Sequence, residues 1–208
     1  MKTLHYVLSE KCNLNCSYCD VNVNDKHYHS NKDFDKFFES YINPLNEEYQ
    51  FDIFGGEPFL HINEINHIIE ALEKEDNCKK IRITSNATIY SQSVVKIIQH
   101  PKVVLTVSHD GAFMEMNRGI DYIKMGKMYF NQYNEACVAV GKRLKVHSML
   151  TGNMFIQPLN SEPLIKHQLN TLNLMFIDYK NIDISFEIVR DKGSWKMYQA
   201  KEYIKSFK

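Results

Sequence analysis

Three cysteines stand within eight residues near the N-terminus, Cys12, Cys16 and Cys19 in CNLNCSYC. Three thiolates this close on one loop can surround a metal centre. A cubane iron–sulfur cluster suits them, because cysteine is its usual ligand and three ligands leave one iron open to a substrate or cofactor atom. Zinc is the rival, since Cys₃His sites exist and His27 and His29 follow closely. Compact structural zinc sites usually supply ligands as two separated pairs, and no second pair follows here. The reading without chemistry is three free, buried cysteines. The other two, Cys78 in EDNCKK and Cys137 on a helical apolar stripe, read as a bystander and a core residue.

Further along, FGGEP supplies Gly55, Gly56, Glu57 and Pro58. The glycines lack Cβ and let backbone approach a ligand closely. Glu57 is an acceptor for an ammonium group, or else a solvated acid at a helix start. Pro58 fits a helix start or a rigid turn. Asn86 in TSNAT is a ligand contact or a turn residue. VSHDG supplies Ser108, His109 and Asp110, the last two being substrate-side candidates or turn residues. Arg118 in MNRG carries a fork suited to a carboxylate, with a surface cation as its ordinary role. His147 is more readily a satisfied core histidine than a catalytic one. Glu187 and Arg190 line a mouth or pair with each other.

These residues need elements to hold them. Six times, a short β-branched or aromatic run is followed by a polar tip and then a helical pattern. The strands are expected at Thr3–Leu8, Tyr49–Phe54, Lys80–Thr84, Val103–Val107, Leu144–Leu150 and Ile184–Val189. The first helix spans Lys32–Ile42, with Phe34, Phe37, Phe38, Tyr41 and Ile42 on one face. The second spans Glu64–Lys74 with Asn63 as N-cap, and the third Ser91–Gln99. A long helix follows strand four to near Gly141, its stripe made of Tyr122, Tyr129, Tyr133, Ala136, Cys137 and Val140. A fifth runs Pro163–Asn173 behind Ser161, and a last from Trp195 to Ile204. Such alternation implies an α/β fold of parallel strands with right-handed crossovers. Ligands of such folds sit outside the carboxyl ends of the strands, where all the candidates lie.

The chain's 208 residues favour one domain. Lys plus Arg and Asp plus Glu are both 25, so net charge makes no case for nucleic acid or membrane as partner. No run of apolar residues is long enough for a membrane span, and the N-terminus has no signal-peptide pattern. An odd cysteine count without that pattern points to a reducing cytoplasm.

Cys12-x3-Cys16-x2-Cys19, directly after a first strand, resembles the signature of the radical S-adenosylmethionine (SAM) superfamily, with Tyr18 at its aromatic position. FGGEP resembles that family's GGE motif, which holds the amino group of the methionine moiety. TSNAT resembles its third-strand TNG segment, with Ala87 in place of the usual glycine. VSHDG resembles the S-x-D-G segment of sulfatase-maturating and peptide-modifying members, in which Ser108 would meet the SAM ribose or carboxylate and Arg118 the carboxylate. The resemblance implies a partial (βα)6 radical SAM barrel as a core domain over residues 1–190, with residues 191–208 a helix completing or capping it. It implies a 4Fe–4S cluster on Cys12, Cys16 and Cys19. It also implies SAM held by Tyr18, Gly55, Gly56, Glu57, Pro58, Asn86, Ser108 and Arg118, and backbone near Ile188 and Val189 against the adenine. Reductive cleavage of SAM to a 5′-deoxyadenosyl radical follows, with an electron donor such as flavodoxin or ferredoxin. The substrate is expected to be a peptide or protein, glycyl-radical-enzyme activation being the alternative. From another class, the alternative is a non-catalytic metal-binding interaction module. No cysteine-rich C-terminal extension is present, so auxiliary clusters are not expected.

Overall fold

The computed structural model describes residues 1–19, 21, 28–121, 130–151, 154, 164–175 and 182–188. His27, Tyr122, Tyr129, Ser161, Pro163, Val189, Arg190 and the expected helix over 195–204 lie outside them. Six strands form one parallel sheet in the order β1 to β6: Lys2–Ser9, Tyr49–Gly55, Cys78–Ser85, Val103–Ser108, Leu144–Leu150 and Ile182–Ile188. Each strand thus pairs with its sequence neighbours, as successive βα units of a partial barrel require.

The helices are α1 (Asn31–Phe37), extended by a π turn Phe38–Ile42, then α2 (Ile62–Leu72) and α3 (Gln92–Gln99). Next come α4 (Met114–Arg118), α5 (Asn131–Val138) and α6 (Leu164–Met175). Among the described residues no helix is long and apolar enough to cross a membrane.

Side chains alternate across a strand, so one residue in two faces the helices. Phe51 and Ile53 of β2 register with Ile81 and Ile83 of β3, and those with Val103 and Leu105 of β4. All six are buried in the core with Ile65, Ile68, Ile69 and Leu72 of α2 and Val94, Ile97 and Ile98 of α3. The intervening positions are polar. Asp52 registers with Arg82, and Thr84, Thr106, Lys145 and Asp183 form a row across four strands. Parallel strands covered on both faces read as continuous apolar runs. Among the described residues, helices cover these strands on one face, and the other face lines a cavity of about 500 Å³ bounded by His5, Asp52, Arg82, Thr106, Lys145 and His147.

Five expectations are corrected. α2 begins at Ile62 behind His61, not at Glu64 behind Asn63, because the 3-10 turn Pro58–Leu60 feeds straight into it. The long helix after β4 is broken: Gly119 takes φ +68 and closes α4. Val140 lies beyond the end of α5 and is 40% exposed, and Tyr41 is 63% exposed on the π turn rather than packed inward. β6 begins two residues before Ile184. Cys78 and Cys137 are both buried in the core, as expected for Cys137.

Candidate functional site

The cysteine loop leaves β1 at Ser9 and the chain returns beside it, where His29 N–H donates to Leu8 O (3.0 Å). The His29 ring packs against Tyr6 at 5.7 Å, on the core side of β1. Two flanks hold the loop. On the first, β2 ends against it: Gly56 N–H donates to Ser9 O (2.7 Å) and Glu57 N–H to Lys11 O (2.9 Å). A Cβ on Gly55 would lie 2.2 Å from Ser9 O, and one on Gly56 2.1 Å from Lys11 O. The close approach that both glycines permit is therefore to the backbone of the cysteine loop. Gly55 additionally needs its φ of +141, which side chains other than glycine rarely adopt.

Glu57 is 1% exposed, so it is not a solvated first-turn acid. Its Oε1 accepts from Phe59 N (3.0 Å) and Ser85 Oγ (2.8 Å), and its Oε2 from Asn86 N (2.7 Å). Burial pushes the carboxyl up to about 7, against the pull of these three donors. Glu57 thus ties the β2 tip to the β3 tip, with Pro58 opening the 3-10 turn behind it. Asn86 continues the tie. Its Oδ1 accepts from Thr88 N (3.0 Å), and its Nδ2 donates to Asn13 Oδ1 (2.9 Å) and approaches Cys12 Sγ at 3.7 Å. Asn86 is both a turn residue and a brace for the loop. Ala87, where the family motif has glycine, takes φ +58.

The second flank centres on Asp110, which is fully buried. It accepts from Tyr18 Oη (2.9 Å), Arg118 Nε (2.9 Å) and Nη2 (3.3 Å), Asn117 Nδ2 (3.3 Å) and Met149 N (3.0 Å). The cysteine loop, α4 and the end of β5 meet on this one carboxylate. Arg118 is 6% exposed and no surface cation. Burial opposes its charge, yet Asp110 and Tyr18 hold it firmly cationic. It lies over the Tyr18 ring at 5.3 Å and points Nη1 at Cys16 Sγ, 4.0 Å away. A backbone bond from Ser17 N to Asn117 O (2.8 Å) closes the flank. His109 is also buried, and burial pushes its imidazole down to about 3, so it is neutral and accepts from Gly111 N at Nδ1.

Between the flanks lies a cavity of about 240 Å³ lined by Cys12, Cys16, Cys19, Tyr18, Gly55, Gly56, Asn86, Ser108 and Arg118. Nine of the eleven site residues expected from sequence share it; Glu57 and Pro58 stand behind its wall. Phe54, Thr84, Ser85, His147 and Met149 line it too. Of these, only His147 was singled out from the sequence, more readily as a core histidine, and it is half-buried on the cavity wall instead. His147 Nδ1 meets Ser185 Oγ (2.9 Å) and its Nε2 Glu187 (3.2 Å), so Glu187 pairs with it.

All five described cysteines are free thiols. Among the described residues, no three His, Cys, Asp or Glu side chains are grouped to share one metal ion. The donor set fits a thiolate-bound cluster: three thiols on one loop, two approached by N–H donors, in a pocket walled by polar strand tips.

The TigE radical SAM cyclopropyl synthase of Paramaledivibacter caminithermalis is 26% identical over 145 residues, 60% of this chain and 31% of that protein. An uncharacterised protein of Methanocaldococcus jannaschii is 31% identical over 133 residues, 61% of this chain and 44% of its own. The solved structure of anSMEcpe with bound AdoMet matches with a TM-score of 0.72 at 18% identity, over 99% of this chain and 59% of that one. Streptococcus suis SuiB bound to precursor peptide SuiA matches at 0.65 and 21%, over 99% and 46%. These structures share the fold, and the chain spans 31% to 59% of the length of these relatives. The family model described as the radical SAM superfamily matches residues 6–167, and with the cysteine pocket at the strand tips of a six-stranded parallel sheet, the chain belongs to that superfamily.

Proposed function

We propose that this chain is the core of an enzyme that binds a 4Fe–4S cluster through Cys12, Cys16 and Cys19 and S-adenosylmethionine beside it, and acts on a peptide or protein. Bound there, the two cofactors supply reductive SAM cleavage and a 5′-deoxyadenosyl radical that takes hydrogen from the substrate. One observation carries the reading: three thiols, the β2 glycines, Asn86, Ser108 and Arg118 wall a single pocket.

Gly55 and Gly56 present the β2 tip to the methionine moiety, and Glu57 and Pro58 fix that tip from behind. Ser108 and Asn86 are placed for ribose, and Arg118 for carboxylate. Tyr18 and Asp110 keep the cysteine loop against α4. The peptide reading is supported by the precursor peptide SuiA bound in the SuiB structure and by the polar cavity, which meets the cysteine pocket at Phe54, Thr84 and His147.

The test is anaerobic reconstitution with iron and sulfide, with dithionite standing in for a flavodoxin or ferredoxin donor, followed by an assay of 5′-deoxyadenosine from SAM. Production lost in Cys16→Ala is the expected result. Zinc bound in place of a cluster, without SAM cleavage, would instead favour a metal-binding interaction module.

A further inference from the structure

We propose that Arg118, oriented by Asp110, donates an N–H to the Cys16 thiolate and thereby sets the reduction potential of the cluster. This rests on the cluster reading above and assigns Arg118 a task besides holding the SAM carboxylate.

The geometry distinguishes the three nitrogens of the guanidinium. Nε and Nη2 are committed to the two oxygens of Asp110, at 2.9 and 3.3 Å. Nη1 is left over and stands 4.0 Å from Cys16 Sγ. Asp110 cannot easily swing away, because Tyr18, Asn117 and the Met149 amide also donate to it. Arg118 is 6% exposed, so little water screens its charge from the sulfur. Fixed positive charge and N–H···S bonds stabilise the more negative, reduced state of a thiolate-bound cluster and raise its potential. Cys12 receives neutral donors, Leu14 N at 3.4 Å and Asn86 Nδ2 at 3.7 Å. Cys19 is exposed, and water can solvate it. The three thiolates therefore differ in electrostatic surroundings, and Cys16 is the one that faces a charged donor among the described residues. Asp110 is a positioning residue in this arrangement: it acts through Arg118.

The experiment is an EPR-monitored redox titration of the SAM-free, reconstituted protein as wild type, Arg118→Gln and Arg118→Lys, with iron counted per chain. SAM affinity is measured separately on the same samples. Arg118→Gln is expected to lower the ratio of reduced to oxidised cluster at the wild-type midpoint about tenfold, a 59 mV shift for one electron. Arg118→Lys keeps the charge but has one nitrogen for both Asp110 and Cys16, and an intermediate shift of about threefold is expected. A purely structural role would change iron content and leave the midpoint of the loaded fraction alone. If Arg118→Gln loads no cluster, Arg118→Lys decides. An unshifted midpoint with weakened SAM binding overturns the proposal and leaves Arg118 as a carboxylate contact. A wild-type protein that assembles no EPR-active cluster overturns the cluster reading itself.

Discussion

Neither glycine of the FGGEP segment tolerates a Cβ, and the reason is a carbonyl of the cysteine loop. Gly56→Ala would drive a methyl to within 2.1 Å of Lys11 O, which is backbone and cannot rotate aside. About 3 kcal/mol of stability should be lost, together with iron retention. Gly141→Ala is the control: its Cβ meets nothing within 4 Å, and only the φ of +70 is strained, so about 1 kcal/mol is expected. Urea unfolding of both variants, with iron counted after reconstitution, checks the pair; equal losses would remove the clamp. Glu57 adds a pH signature to the apoprotein. Its carboxyl titrates at about 7 when folded and near the ordinary 4.5 when unfolded. Between those values the folded chain binds the extra proton, so stability falls as pH rises, by about 3 kcal/mol across the window, and levels off above it. Glu57→Gln should flatten that slope in urea titrations from pH 4.5 to 8, whatever its constant offset. At this scale the sequence marked which residues share the pocket better than how they are held there. Spacing and types pointed to the cysteines, the glycines and Arg118. That the glycines face backbone, or that Asp110 collects Tyr18 and Arg118 from 92 and eight residues away, depends on strands meeting in space.

The elements that hold the site were legible where periodicity is strong. β5 is found where its alternation put it, and α3 starts just after Ser91, whose side chain accepts from Val94 N. The failures occur where tertiary structure overrides local pattern. The stripe after β4 reads as one helix because Tyr, Ala and Cys recur at helical spacing, but Gly119 at φ +68 stops the first turns. That break lets Arg118 and Asn117 turn back on Asp110 and the cysteine loop. Helix ends are also fixed by distant groups. Lys102, in the turn before β4, extends Nζ to Leu72 O (3.0 Å), Glu73 O (2.9 Å) and Glu75 O (2.8 Å) at the end of α2. Leu72 O and Glu75 O also accept from Glu75 N and Cys78 N, so the ammonium braces a turn already formed, and its charge opposes the negative end of the helix dipole. Lys102→Met keeps the stem and removes the three bonds, so about 2 kcal/mol should be lost. Amide exchange should quicken in the last turn of α2. Loss of stability without local quickening would mean that Lys102 acts elsewhere.

On the scale of the whole molecule, the alternation along the strands decides what the sheet is for. Residues facing the helices are large and apolar, and those facing the other way are Asp52, Arg82, Thr84, Thr106 and Lys145. A closed (βα)8 barrel fills its interior with bulky branched side chains. This half-barrel instead keeps about 500 Å³ open along its concave face, with polar contacts formed within the wall, an ion pair between Asp52 and Arg82 and a contact between His147 and Glu187. These pairs satisfy part of the wall's polar groups, Arg82 Nε being buried without a partner, and water or a polar ligand can serve the remainder. The cysteine pocket opens beside the upper end of that cavity, and Phe54, Thr84 and His147 belong to both. On the proposed reading, a substrate lying on the concave face would bring one segment beneath the cysteines, with the residues proposed for SAM on the strand tips. The two functions should separate by mutation. Thr106 lines the cavity, is 9% exposed, and has no place in the cysteine pocket. Thr106→Trp should fill part of the cavity without touching a cysteine, Asn86 or Arg118. Its SAM affinity and unproductive 5′-deoxyadenosine formation should stay within about twofold of wild type. A peptide that stimulates SAM cleavage by the wild type should lose that stimulation at least about tenfold, near 1.4 kcal/mol. Equal stimulation in both proteins would place the substrate outside the concave face, and loss of the basal activity as well would mean that the two cavities are one site.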